Sequence, residues 1–227
     1  MVKLNIVGVG PGSVEYVTPL VHRLVLEAQI VIGAKRSLDL FSSNCFSGEI
    51  HVLTAKNLDS LLKYAVESAK EDKNVVILST GDPGFSGLLQ SVLKTKLVTS
   101  DEINVVPGIS AIQVCAAKLG LCWDKMCLFT FHQGNVCDAR KNELVDCLNA
   151  GRNVILFPDP KSFLPKDIAQ YLINSGFDPN MSVFICENLT LNNERIVTSS
   201  LSGVLLVDFA TLCVMVIKTK CDKVVDV

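Results

Sequence analysis

No stretch of the chain carries the roughly 18–20 consecutive apolar residues that a membrane helix needs. The apolar runs at 204–207 and 213–217 are strand-sized. The amino terminus lacks the charged, then apolar, then small-residue order of a signal peptide, so the cytoplasm is the expected compartment. Positive charge is not in excess. Lys and Arg number 21 against 23 Asp and Glu, for a net charge of −2 and a pI near 5.9. A phosphate backbone needs a basic face, so nucleic acid is excluded as the main partner. The nine cysteines include no C-x-x-C pair. Cys122 and Cys127 come nearest, and others sit among apolar neighbours, as in Val114-Cys115-Ala116 and Leu212-Cys213-Val214. Buried small hydrophobes in a reducing compartment are expected, with no metal site. Low-complexity segments, long charge runs and repeats are absent as well.

What remains is a chain of 227 residues, 49% hydrophobic and 19% charged, enough for a packed core in one large or two small domains. Its organising stretch is Ser79-Thr80-Gly81-Asp82-Pro83-Gly84-Phe85-Ser86-Gly87. Val75-Val76-Ile77-Leu78 runs into it and reads as a short buried strand. Three glycines and a proline then forbid continuation, and 88–94 reads as a helix. A strand, a glycine-rich turn and a helix place a ligand at the carboxyl end of a sheet. Glycine lets backbone come close to a ligand and permits positive φ. Asp82 is the one charged side chain in the turn; a helix cap and a catalytic group are both open to it.

Two further turns of this kind occur. Lys3-Leu4-Asn5-Ile6-Val7 leads into Gly8-Val9-Gly10-Pro11-Gly12, which fails the G-x-G-x-x-G dinucleotide pattern. Residues 101–106 lead into Pro107-Gly108-Ile109-Ser110-Ala111, with Ser110 placed to cap a helix over 111–119. Thr18 and Pro19 form an N-cap and first-turn pair, and Leu20, Leu24 and Ala28 keep helical spacing. A second strand ends at Gly33, followed by basic Lys35 and Arg36. Asn57 is expected to cap a helix reaching Lys70. Alternating strands and helices over the first half predict a parallel α/β sheet. The second half predicts strands at 126–131, 153–157 and 183–186, helices at 138–150 and 166–174, and three late strands at 194–199, 204–207 and 213–218. Antiparallel pairs, and so a mixed sheet, are expected there. The fold class is α/β in two domains, 1–112 and 113–227.

Together, Val7-Gly8-Val9-Gly10-Pro11-Gly12, the 79–87 turn and Val106-Pro107-Gly108-Ile109-Ser110-Ala111 resemble the tetrapyrrole methylases. These are S-adenosylmethionine-dependent methyltransferases of corrin biosynthesis, and the resemblance spans nearly the whole chain. Within the family, Gly81 to Phe85, Ala116-Ala117-Lys118-Leu119-Gly120-Leu121, and Cys186-Glu187-Asn188-Leu189-Thr190 with Glu194-Arg195-Ile196 are most similar to the carbon-5 methyltransferases of precorrin or cobalt-precorrin. The resemblance implies an active cleft between the two domains. It implies a methyl donor held by Gly81, Asp82, Pro83, Ser86, Gly108, Ile109, Ser110, Ala111, His132, Pro158, Glu187 and Leu189, with second-domain contacts made through backbone. Gly10, Pro11 and Gly12 would face the tetrapyrrole. Lys35 and Arg36, with Arg140 and Arg195, are candidate partners for its carboxylates. Asp82 and His132 are the candidate catalytic residues. A homodimer is implied, as is a separate protein for carbon-15 methylation and decarboxylation. The chain departs from the family where Thr130-Phe131-His132-Gln133-Gly134-Asn135 replaces a Ser-x-His-Gly-Arg pattern, and at Ser86, where an aromatic residue is common.

Methyl transfer from a sulfonium is an in-line displacement onto an already electron-rich ring carbon, so alignment and desolvation matter more than a strong base. That suits motifs of glycine, proline and backbone. His132 could shuttle a proton or simply bond to backbone. Methylation at another corrin carbon, and diphthine synthesis, are alternatives within the fold. A nicotinamide-binding module would need an acid at the end of strand 2, where the chain has Gly33-Ala34-Lys35-Arg36.

Overall fold

The computed structural model describes residues 4–42, 46, 48–132 and 136–219. The chain divides into two compact units, residues 1–111 and 112–227. The first holds β1 (Leu4–Gly8), α1 (Pro19–Leu26), β2 (Ile30–Gly33), α2 (Lys35–Leu38), β3 (Glu49–Val52), α3 (Leu58–Lys70), β4 (Val75–Ser79), α4 (Leu89–Lys94) and β5 (Ile103–Val106). Its five strands run in the order β3-β2-β4-β1-β5, and every pairing is parallel. All five carboxyl ends therefore lie along one edge.

This sheet is covered on both faces, and its strands show why a continuous apolar run is required. Leu4, Ile6, Ile30, Ile32, Val75 and Ile77 point to one side, where Leu62, Ala65, Val66 and Ala69 of α3 pack on them. Val7, Val31, Val76 and Leu78 point to the other, against Val21 and Val25 of α1 with Leu38 and Phe41. Alternate residues thus feed two separate cores.

The second unit holds α5 (Ala111–Lys118, whose first residue belongs to the first unit), β6 (Cys127–Thr130), α6 (Asp138–Asn149), β7 (Val154–Phe157), α7 (Pro165–Asn174), β8 (Ser182–Glu187), β9 (Arg195–Ser200), α8 (Leu201–Val204) and β10 (Cys213–Ile217). Its order is β6-β7-β10-β8-β9. Only β6 and β7 pair in parallel; β10 is antiparallel to both β7 and β8, and β9 to β8. Consequently β6, β7 and β8 point the same way, and their carboxyl ends share an edge with the starts of β9 and β10. Phe129, Leu156, Ile185 and Met215 form a core with Leu144, Leu148, Ile168, Leu172 and Leu201 from the helices.

Several expectations need correction. The strand expected at 204–207 does not form. Ser200 accepts a hydrogen bond from Gly203 N at 3.1 Å and starts the short helix α8, whose Leu201 and Val204 are buried while Leu206 is 86% exposed. The buried face of α1 is Val21 and Val25; Leu20 is exposed. The Thr18 cap does form, accepting from Val21 N at 3.3 Å. Asn57 stands at the N-cap position of α3, but its side chain turns back, accepting from Thr54 N at 2.7 Å and donating to Val52 O at 3.0 Å. The helix α2 at Lys35–Leu38 went unread because four residues are too short to show a period.

At the carboxyl edge of the first sheet, the three glycine turns touch backbone to backbone. A Cβ on Gly8 would lie 2.5 Å from Gly108 Cα and 2.6 Å from Gly81 O. A Cβ on Gly108 would collide with the Gly81 carbonyl and with Gly8. Gly8→Ala should therefore cost about 3 kcal/mol or more of stability, since backbone cannot rotate aside as a side chain can. Denaturant unfolding measures this; a loss under ~0.5 kcal/mol would contradict the packing.

Candidate active site

The turn after β4 is tied to both of its neighbours. Gly81 N donates to Gly10 O at 2.8 Å, and Val9 N donates to Ser79 O at 3.0 Å. Gly10 and Gly81 both adopt positive φ, +78° and +69°. The Asp82 carboxylate then joins two turns: Oδ1 accepts from Gly84 N at 2.8 Å and Oδ2 from Gly108 N at 3.0 Å. Asp82 does not cap α4, which begins at Leu89 with no side-chain cap. That end is held instead by Ser79 Oγ, which accepts from Leu88 N at 3.2 Å, and by Pro83 O, which accepts from Leu89 N. Ser86 lies in the same turn at φ +57°.

Thus Gly10, Gly81, Asp82 and Gly108 meet directly, with Pro83 buried and Ile109 exposed at their margin. Ser110 is buried and Ala111 opens α5. Pro11 and Gly12 follow in the first turn, half-exposed. Lys35 and Arg36 stand on α2, just past the end of β2. Ser37 Oγ lies 3.0 Å from Thr80 Oγ1, linking α2 to the Asp82 turn. Lys35 pairs with Asp39 at 3.1 Å, both well exposed, and such a pair is worth little.

In the second unit, His132, Pro158 and the 187–189 segment follow β6, β7 and β8, and so share one edge. Phe131 N donates to Phe157 O at 3.0 Å, and the His132 ring stands 5.5 Å from that of Phe157. His132 N donates to Thr130 Oγ1 at 3.2 Å. Gln133, Gly134 and Asn135, where the sequence departs from the family, lie outside the described residues.

Glu187, 2% exposed, is committed elsewhere. One oxygen accepts from Arg195 Nε and the other from Ala210 N. Its side chain is a tie between β8, β9 and the approach to β10. Arg195 is likewise occupied, since it also donates to Asp208 O at 3.2 Å. Arg140 pairs with Glu143 at 2.5 Å and stacks 4.5 Å from the Phe129 ring centre. Leu189 is buried between Asn188 and Thr190, both at positive φ.

Two acids have partners that the sequence does not reveal. Asp159, buried beside Pro158, accepts from Ser162 N and Oγ at 2.8 Å and from Lys161 N at 3.0 Å. Burial pushes its carboxyl up, but these bonds and nearby His132 outweigh that and hold it below the usual range. Its place between two prolines was the available signal. Glu194 reaches Lys118, 2.7 Å away, and accepts from Thr190 N at 2.8 Å. Burial again opposes, yet Lys118 and Thr190 hold its carboxyl below the ordinary 4.5. No local pattern marks this pair, which spans 76 residues.

Among the described residues no cluster of three or more His, Cys, Asp or Glu could hold a metal, and no helix is long and apolar enough to cross a membrane. Each unit gathers turns and polar ties at the carboxyl ends of parallel-running strands, which is where α/β proteins place ligands. The family model for tetrapyrrole (corrin/porphyrin) methylases matches residues 3–204, and the chain belongs to that family. It is 36% identical over 214 residues to a probable cobalt-precorrin-7 C(5)-methyltransferase of Methanocaldococcus jannaschii, covering 94% of this chain and 96% of that one. The cobalt-precorrin-7 C(5)-methyltransferase of Salmonella typhimurium is 32% identical over 196 residues, 85% and 88% of the two chains. Among solved structures, the methyltransferase CobJ superposes with a TM-score of 0.80 at 19% identity, covering 96% and 94%. The uroporphyrin-III C-methyltransferase of Thermus thermophilus, complexed with S-adenosyl homocysteine, gives 0.69 at 21% identity, covering 95% and 92%. At those identities the structures establish the fold alone.

The depressed Glu194 carboxyl stabilises the fold above pH 4.5, its ordinary value. That contribution is lost as pH falls below 4.5 through the folded-state value. Glu194→Gln should cost about 1 kcal/mol at neutral pH and flatten the stability curve below pH 4.5. Urea unfolding across pH would show it; identical curves for both proteins would refute it.

Proposed function

We propose that the protein transfers a methyl group from S-adenosyl-L-methionine to carbon 5 of a cobalt-precorrin, the reaction named for its full-length relatives. The observation that carries this is the meeting of the Gly10, Gly81 and Gly108 turns around Asp82, in a chain that aligns with those relatives over 85–94% of its length. The donor fits these residues. Ile109 offers an exposed apolar side chain to an adenine. Turn N–H groups suit a methionine carboxylate, and turn carbonyls suit the sulfonium. Asp82 supplies the one negative charge in that turn. Donor contacts of the first unit are then Gly81, Asp82, Pro83, Ser86, Gly108, Ile109, Ser110 and Ala111. Gly10, Pro11 and Gly12 face the tetrapyrrole, with Lys35 and Arg36 toward its carboxylates.

In the reaction the sulfur–methyl bond breaks as a carbon–carbon bond forms. The sulfonium becomes a neutral thioether, and the positive charge passes into the conjugated ring. No base is required for that step, and on this reading His132 takes a proton afterwards. Asp82 works by holding the 81–84 and 108 turns in register for in-line attack. The same reading has a homodimer working in the cytoplasm.

Isothermal calorimetry should detect S-adenosylmethionine binding and no NAD binding; the reverse would sink the assignment. Carbon-13 methyl transfer to a cobalt-precorrin should label carbon 5, and label at another carbon would overturn the regiochemistry while sparing the donor. Asp82→Ala should lower kcat/KM by about 100-fold with a raised KM for the donor. A fall in kcat at unchanged KM would instead make Asp82 a proton-transfer group.

A further inference from the structure

The second unit contains a buried pair of thiols that the methyl-transfer reading does not use. Cys115, in the middle of α5, and Cys186, near the end of β8, have Sγ atoms 3.4 Å apart. Both residues are fully buried, and 71 residues separate them in sequence. Cys186 pairs with Val214 of β10 and Ile196 of β9, in the interior of the sheet. It therefore points away from the face lined by Ile185 and Met215. Cys115 meets it there from the helix.

A separation of 3.4 Å is that of two thiols in contact, and about 1.4 Å of closure would bring them to bonding distance. The two thiols differ electronically. Cys115 donates to Cys186, and that bond draws the Cys186 thiol down against the opposing effect of burial; Lys118 lowers it as well, while Glu194 raises it. Cys115, as donor, is pushed up. The neighbouring Cys213 is pushed up to about 12 by burial, with Glu187 and Cys186 adding to it, so it stays protonated.

We infer that Cys115 and Cys186 form a reversible disulfide that clamps α5 to β8, making the pair an oxidative modification site. With a peroxide as oxidant, the Cys186 thiolate attacks one oxygen, the oxygen–oxygen bond breaks and hydroxide leaves. The Cys115 sulfur then attacks the resulting sulfenic acid and releases water. Two thiols give up two electrons, and the peroxide ends as two waters. Local opening of α5 admits the oxidant, so the step is slow beside oxidation of exposed Cys122 and Cys137. The clamp sits directly before Glu187-Asn188-Leu189-Thr190, and it stiffens that turn.

The test is treatment of the native full-length protein with hydrogen peroxide, then alkylation in denaturant and non-reducing peptide mapping. The expected product is a crosslinked peptide joining Cys115 to Cys186. It should be reversed by dithiothreitol and accompanied by a Tm higher by several degrees. Cys115→Ser should abolish both the crosslink and the Tm rise. Recovery of both cysteines as free thiols after the exposed ones have oxidised overturns the inference. So does a crosslink from Cys186 to Cys213. Neither readout depends on methyl-donor binding, so it stands or falls apart from the proposed reaction.

Discussion

The structure of the first unit depends on three stretches of backbone approaching closer than any side chain allows. Gly8, Gly81 and Gly108 stand at or just past the ends of different strands, and a Cβ on Gly8 or Gly108 would strike the other and the Gly81 carbonyl. Parallel pairing makes this possible, because β1, β4 and β5 are neighbours and all end at one edge. Close approach also creates an electrostatic difficulty, since turns expose backbone N–H groups that need acceptors. The Gly10 carbonyl and the two oxygens of Asp82 supply them. A turn that looks like a ligand cradle in the sequence is first a solution to its own packing.

This explains what could and could not be read in advance. The parallel sheet was legible because strands buried on both faces must be apolar throughout, as Val75 to Leu78 are. The turns were legible because few residues other than glycine tolerate their conformations. The purpose of the glycines was not fully legible. Approach to a ligand and approach to another turn demand the same residue, and only the fold separates them: Gly8 and Gly108 serve each other. The late strand expected at 204–207 failed for a related reason. Its four apolar residues fit a strand, but Ser200 three positions before Gly203 is a helix start, and a local hydrogen bond outweighed a short pattern.

The site was legible as segments and much less as side chains. His132, Pro158 and Glu187 do fall at one edge of the second sheet, because β6, β7 and β8 run in the same direction with β10 between the latter two. What the side chains do there depends on partners far along the chain. Glu187 is held by Arg195 and Ala210, and Glu194 by Lys118 and Thr190. No spacing rule links residues 118 and 194. Cys115 and Cys186 are joined in the same way, by a helix laid on a strand 71 residues later.

A common pattern runs through the acids of both units. Asp82, Asp159, Glu187 and Glu194 each accept from backbone N–H groups of a turn or loop next to a strand end. A carboxylate so employed is fixed in place and acts as a brace, and in Asp159 and Glu194 these bonds also hold the carboxyl below its ordinary range. For a reaction whose donor is already activated, that division of labour is favourable. The cost of chemistry lies in aligning a sulfonium with a ring carbon and excluding water, not in generating a nucleophile. In the proposed reaction, acids that rigidify turns would lower that cost, because a displaced turn would misalign the methyl group. A general base would add little, and each of these four carboxylates is taken up in bonds to backbone.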